Sequence, residues 1–260
     1  QALGSENPIK TDSRIIGESS ERLLRAHGSL LLDSDGSRMG AVIVLGDVTS
    51  LRRLESMRKD FVANVSHELR TPITSIKGFV ETLMDGGVHS HQDAENFISI
   101  IAKQADRMNS IIEDLLFLSR VEQNVEDRKV QLEECPLCDL LQEAIDISAS
   151  KAEAKRVEIS LHCPGDLEGM INPALLEQAV TNLLDNAVNY SDPGGRVEVT
   201  AERQESEVVI RISDQGCGIE KKHHARIFER FYRVDKARSR KAGGTGLGLA
   251  IVKHIVQAHG

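Results

Sequence analysis

Three asparagines, Asn182, Asn186 and Asn189, follow one another at intervals of four and three, so on a helix they line one face. A helix interior gains nothing from asparagine, which favours caps and turns. Carboxamide oxygens can coordinate Mg2+ together with phosphate oxygens, and amide hydrogens can bond phosphate. A wetted surface face would use the same residues, but here Leu175, Leu176, Ala179, Val180, Leu183 and Leu184 flank them. That apolar pattern makes the helix the wall of a pocket, with Tyr190 at its end. Downstream, Asp214-Gln-Gly216-Cys-Gly218 follows a strand-like run. A carboxylate there can accept a hydrogen bond from an exocyclic amine such as adenine N6, and glycines let the backbone approach a flat base. Gly243-Gly-Thr245-Gly246-Leu247-Gly248 opens the last helical segment. Glycines at a helix start form a phosphate cradle from free N–H groups and the helix dipole. No strand immediately precedes them, which excludes the Rossmann fingerprint, and no Gly-Lys-Ser/Thr ending makes them a Walker A loop. Between the two glycine motifs lies Phe228-Glu-Arg-Phe231-Tyr-Arg233, whose arginines can reach phosphate oxygens. Residues 220–243, rich in Lys, Arg and His, read as a lid over a triphosphate.

A second candidate stands far upstream. With Val65 at zero on a helical wheel, Phe61, Leu69, Pro72, Ile76, Phe79 and Leu83 fall within about 40° of it. His67 falls at about 200°, on the opposite, solvent-facing side. A lone surface histidine does nothing. This one has Glu68 beside it, able to accept a ring proton and leave the other nitrogen nucleophilic. Thr71 stands one turn on, on the same face, and Pro72 weakens that turn.

Long helices must carry the histidine. Asp47-Val-Thr-Ser offers N-caps, and residues 50–85 read as one helix that Pro72 should kink. After the breaker Asp85-Gly-Gly-Val-His-Ser, a second helix runs from Gln92 to Val125. Its seven-residue series are Phe97, Gln104, Ile111, Leu118 and Ile101, Met108, Leu115. Two such helices make an antiparallel hairpin, and pairing two hairpins gives a four-helix bundle, hence a homodimer. From residue 129 the character becomes α/β: strands at 129–134, 157–162, 196–202 and 207–213, and helices at 136–156, 172–189 and 247–259. Before residue 48, Ser29–Asp33 and Gly40–Gly46 read as a hairpin about the turn Asp33-Ser-Asp-Gly-Ser. The domain division is therefore 1–48, 49–128 and 129–260.

The whole chain has 260 residues and a net charge of −8, which argues against a nucleic-acid binder. Aromatics make up only 3%, so the cores must be aliphatic. No apolar run approaches the ~18 residues of a membrane span. Cys135-Pro-Leu-Cys138 has zinc or redox spacing but no second pair, and zinc needs about four ligands. Two small apolar residues at a strand-to-helix junction is the simpler reading. Nothing in the spacing of Cys135, Cys138, Cys163 and Cys217 suggests a disulfide framework, which fits a reducing cytoplasm.

Ser66-His67-Glu68-Leu69-Arg70-Thr71-Pro72 resembles the H-box of two-component sensor histidine kinases. The order N-x-x-x-N, D-x-G-x-G, F-x-x-F, G-x-G-x-G resembles the N, G1, F and G2 boxes of the GHKL ATPase superfamily. The resemblance covers residues 50–260 and is nearest in texture to the phosphate-regulon type of membrane sensor kinase. It implies a helical hairpin forming a dimeric four-helix bundle, followed by an α/β sandwich. It also implies ATP and Mg2+ as cofactors, the metal on Asn186. Asn182, Asn189, Tyr190, Asp214, Gly216, Gly218, Arg233, Thr245, Gly246, Leu247 and Gly248 complete the nucleotide site. In the family the histidine is the phosphoacceptor, the acid after it the base, and the threonine positions water for a phosphatase reaction. Those roles fall on His67, Glu68 and Thr71. The partner implied is a response regulator receiver domain. The implied location is the cytoplasm, as a soluble piece of a protein that a membrane anchors in orthodox members. Residues 1–48 resemble the last strands of a PAS sensor domain. The family pattern has Lys or His at Asn189, two more strands after Gly260 and a first PAS half before residue 1, so the chain reads as a piece. A different activity, an ATP-driven conformational machine like the gyrase and heat-shock members, would use an acid near the N-box to activate water. Asp185 is the candidate, and the His67 hairpin would then have no role. A pure scaffold would need neither the asparagines nor the glycine lid.

Overall fold

The computed structural model describes residues 9–16, 21–86, 90–126, 130–205, 207–235 and 244–260. The chain divides into two units, residues 1–67 and 68–260. The first contains the strands β1 (Ile9–Ile16), β2 (Glu21–Leu32) and β3 (Arg38–Asp47), an antiparallel sheet in that order. The expected hairpin is β2–β3, with β2 starting well before the first apolar run and β3 extending past both ends of the second. Its turn closes by Asp33 N–H to Ser37 O at 2.8 Å, with Gly36 at φ 79°. Strand β1 is an addition that the sequence reading did not contain. At the exit from β3, Asp47 Oδ1 accepts the Thr49 N–H at 2.9 Å, and the Thr49 hydroxyl accepts the Leu23 N–H at 2.8 Å. These bonds start the helix that follows.

Helix α1 (Thr49–Met84) and helix α2 (His91–Glu126) have the expected lengths. As expected, α1 is one helix with Pro72 inside it, and Pro72 is buried. Proline costs a helix one N–H donor and crowds the carbonyl four residues back, here that of Glu68. The two helices meet at Phe79 and Phe97, whose ring centroids are 5.0 Å apart. Ile111, Leu118 and Val121 of α2 are fully buried. The loop residues between the helices that decide the hand of the hairpin lie partly outside the described residues.

The α/β part contains β4 (Glu133–Pro136), α3 (Leu137–Lys155), β5 (Glu158–His162), β6 (Glu168–Ile171) and α4 (Pro173–Tyr190). It continues with β7 (Arg196–Gln204), β8 (Glu207–Asp214), the short α5 (Lys221–His224) and α6 (Gly248–His259). β5 and β7 are parallel, β7 and β8 antiparallel, and β4 pairs with β6 in a separate ribbon. The strand expected at 129–134 therefore begins later, at Glu133, where β6 supplies hydrogen-bond partners. Val197, Val199 and Ala201 alternate inward from β7 and pack with Leu141, Ala144, Val180 and Leu184 of α3 and α4. Asn172 caps α4 by accepting the Leu175 N–H at 3.1 Å, so the helix starts one residue later than read, at Pro173.

The cysteine reading needs correction. Cys138 and Cys163 form a disulfide, Cα atoms 5.7 Å apart, while Cys135 and Cys217 are free. The bond joins residues 25 apart in sequence through the packing of α3 on β5, which local spacing does not encode. Among the described residues no His, Cys, Asp or Glu cluster could hold a metal ion, and no helix is long and apolar enough to cross a membrane.

Candidate functional site

Asn182, Asn186 and Asn189 lie on α4 as expected, each half-buried. The Asn182 amide nitrogen is buried without a hydrogen-bond acceptor among the described residues, and its side chain lies against Gly248, where a Cβ would stand 3.7 Å from it. An orphaned buried donor beside a helix start fits an anionic ligand. Asp185, between these asparagines in sequence, is turned to α3. It accepts from Lys151 at 2.5 Å and from the Ser148 hydroxyl at 3.4 Å.

At the end of β8, Asp214 is exposed, and its Oδ1 accepts the Gly216 N–H at 2.8 Å. That turn presses Gly216 onto the end of α4. A Cβ there would stand 2.6 Å from the Tyr190 carbonyl oxygen, so only glycine fits. Gly218 has φ 67°, which again favours glycine. The second carboxylate oxygen of Asp214 remains at the loop edge, where a base amine can meet it.

Gly246 has φ 79°, and a Cβ on it would lie 3.0 Å from the Phe231 backbone and 3.1 Å from Arg233 Nε. The glycine loop and the Phe228–Arg233 segment are thus one body, tied also by the Phe231 N–H to the Gly246 carbonyl at 2.8 Å. Tyr232 is held by His223 Nδ1 at 2.6 Å from its hydroxyl and by the Arg226 guanidinium 4.3 Å from its ring centroid. Leu247 is fully buried, so its side chain is core and only its backbone can face a ligand. Residues 236–243 of the basic lid, Gly243 among them, lie outside the described residues.

His67 and Thr71 are both exposed on α1, one turn apart, as the wheel requires. Glu68 is half-buried. Its Oε2 accepts from Arg107 of α2 at 3.2 Å and from Arg233 at 3.0 Å. Arg233, only 4% exposed, also donates to the Thr245 carbonyl at 2.6 Å. One guanidinium therefore joins the acid of the histidine motif to the glycine loop. The Thr245 hydroxyl donates to Asp114 of α2 at 2.7 Å. Burial pushes the Asp114 carboxyl above its usual range, against the Thr245 bond.

Arg107, Asp114 and Glu122 are contributions that the sequence reading missed. Arg107 and Asp114 are seven residues apart, each one turn before a buried seam position, Ile111 and Leu118 respectively. A search for charges at seam-edge positions would have found them. Glu122 pairs with Arg230 and, at 3.0 Å, with His254 of α6. Burial raises the Glu122 pKa, but the bonds and charges of His254 and Arg230 outweigh it and hold the carboxyl below its usual range. A depressed carboxylate stabilises the fold above its unfolded pKa, and that stability is lost as pH falls through the folded value. Glu122→Gln is therefore expected to cost about 1 kcal/mol at neutral pH, as partly exposed pairs do. It should also flatten the acid side of the curve of Tm against pH; thermal melts from pH 3 to 7 check both, and parallel curves for the two proteins would refute the assignment.

Residues 57–124 match the family described as His Kinase A (phospho-acceptor) domain, and residues 171–260 match that described as Histidine kinase-, DNA gyrase B-, and HSP90-like ATPase. The sensor histidine kinase WalK of Bacillus subtilis (strain 168) is 38% identical over 92% of this chain and 39% of its own length. The chain spans about two fifths of the curated relatives it matches. Among solved structures, the Acinetobacter baumannii histidine kinase AdeS superposes with a TM-score of 0.58 at 25% identity, covering 74% of this chain and 86% of that one. Histidine kinase ThkA in complex with the response regulator protein TrrA shares the fold, with a TM-score of 0.55 at 22% identity over 87% of this chain and 68% of that one.

Proposed function

The chain belongs to the sensor histidine kinases of two-component systems, and from that premise we propose that it is an ATP-dependent protein-histidine kinase that phosphorylates His67. The observation that carries this reading is Arg233, which spans Glu68 Oε2 at 3.0 Å and the Thr245 carbonyl at 2.6 Å. The phosphoacceptor motif and the phosphate-binding loop are thereby parts of one charge network. Asp214 holds the base through its free oxygen, and the loop at Gly246–Gly248 with Arg233 holds the phosphates. Mg2+, when bound at the Asn186 carboxamide, supplies charge neutralisation on the phosphate oxygens. The orphaned Asn182 amide and the glycine-only contacts at Gly216 and Gly246 support this fit. His67 attacks the γ-phosphorus with its unprotonated nitrogen, and Glu68 takes the ring proton from the other. The phosphoryl group then passes to an aspartate of a response regulator. The test is incubation with γ-labelled ATP: label that is labile to acid and stable to base supports the reading, and the reverse pattern refutes it.

The hairpin supports a homodimer. Ile73, Val80, Met84, Ile98, Ile112 and Leu116 are exposed on it, an apolar seam that a second copy covers as a four-helix bundle. Residues 1–48 are proposed as the end of a PAS sensor module, 49–128 as the dimerisation and phosphotransfer domain, and 129–260 as the catalytic domain. We place it in the cytoplasm, as the soluble part of a sensor that a membrane anchors in full length. The conformational-machine reading needs a carboxylate free to activate water beside Asn186. Asp185 is instead occupied by Lys151 and Ser148, which favours the kinase.

Thr71 is proposed to orient water for hydrolysis of a regulator's phospho-aspartate, a step that histidine attack does not need. Thr71→Ala should lose most phosphatase activity, by about 10²-fold or more, and keep much of the kinase activity. Separate assays of the two activities decide, and a parallel fall in both would leave Thr71 a helix residue only.

A further inference from the structure

The Cys138–Cys163 disulfide has no part in the chemistry above, and the fold around it does not need it. Leu137, Leu141 and Ala144 of the same helix are fully buried in an apolar core shared with α4 and β7. Domains that depend on disulfides are small ones that lack such a core. Both cysteines are half-buried, so part of each residue meets solvent. The Pro164 carbonyl oxygen lies 2.8 Å from Cys138 Sγ and 3.6 Å from Cys163 Sγ. On reduction, a thiol there has an acceptor for its proton waiting.

The bond fixes the first turn of a helix that is itself fastened to the asparagine helix. Lys151 and Ser148 hold Asp185, and Lys155 Nζ donates to the carbonyls of Val188 and Asn189 at 2.9 and 2.6 Å. These contacts interleave with Asn186 and Asn189. We propose that Cys138 and Cys163 form a reversible thiol–disulfide site that sets how firmly α3 holds α4, and so the nucleotide affinity of the asparagine face. The coupling rests on the nucleotide reading above. The oxidant is a low-molecular-weight disulfide. One cysteine thiolate attacks a sulfur of that disulfide, forms a mixed disulfide and releases one small thiolate. The second cysteine thiolate attacks the protein sulfur of the mixed disulfide and releases the other. Two protein thiols thus lose two electrons and two protons, and one small disulfide is reduced to two thiols. The oxidised form, with α3 pinned at its start, presents the better ordered wall and binds nucleotide more tightly. Cys135 competes poorly, because burial, together with Glu133, pushes its thiol pKa up and leaves little thiolate.

The test poises the chain in mixtures of oxidised and reduced glutathione, reads the Cys138–Cys163 link by peptide mass, and titrates a fluorescent ATP analogue at each poise. The link should form and break reversibly, with nucleotide binding about fivefold or more tighter when it is formed. Cys163→Ser and Cys138→Ala should each bind as the reduced protein does at every poise. A link that glutathione neither makes nor breaks overturns the site. Equal affinity in both states overturns the coupling. Absence of nucleotide binding in both states overturns the nucleotide reading and the coupling with it, while the mass readout still decides the thiol site.

Discussion

His67→Gln will reduce incorporation of γ-phosphate from labelled ATP to background. Glutamine keeps a polar side chain on the exposed face of α1 but has no nitrogen that can attack phosphorus. Nucleotide affinity should stay within about twofold of the parent, as expected for a residue remote in sequence from the nucleotide motifs. Those motifs all stand in the second half of the chain. Filter binding of labelled protein and a separate nucleotide titration give the two numbers. Residual label on the variant would place the acceptor elsewhere, and a joint loss of label and of binding would mean that the substitution damaged the fold.

Asp214→Asn will weaken ATP and ADP together, by about 1.5–3 kcal/mol, which is roughly ten- to a hundredfold in Kd. The substitution is unusually clean. Asp214 Oδ1 closes its own turn by accepting the Gly216 N–H, and an asparagine oxygen can do the same. What it loses is the charged acceptor for an exocyclic amine. The parent protein should prefer ATP to GTP, because guanine presents a carbonyl where adenine presents that amine, and the variant should lose much of the preference. Calorimetric titrations with ATP, ADP and GTP measure this. Equal affinity of the parent for ATP and GTP would sink the role.

The long helices, the face of His67 and the asparagine helix were legible because each repeats a helical period over many turns. The seam positions Phe97, Ile101, Gln104 and Met108 are half-buried as their spacing requires, and Ile111 and Leu118 are fully buried. Asp214, Gly216, Gly246 and Gly248 were legible for another reason: glycine and aspartate sit where turns force them. Strand β6 was not, since Glu168–Ile171 is too short to show alternation. The Cys138–Cys163 bond and the contacts of Arg107, Asp114 and Glu122 are tertiary. They depend on which helix meets which, and no local pattern carries that. Leu247 shows what motif position alone leaves out: its side chain is core by packing, so only its backbone is left for a ligand.

The position of Arg233 leaves the glycine loop a donor in reserve. The bonds to Glu68 and to the Thr245 carbonyl both leave from one terminal nitrogen, Nη2, while Nε is buried without an acceptor among the described residues. A guanidinium carries five N–H donors, so an anion at the loop can be met without surrender of either partner. The charge of Glu68 beside it nevertheless offsets part of the attraction that Arg233 exerts on a phosphate. That offset falls on the phosphate end of a ligand alone and leaves the base end untouched. Salt, which screens the phosphate contact, should therefore weaken a nucleotide more than the nucleoside without phosphates.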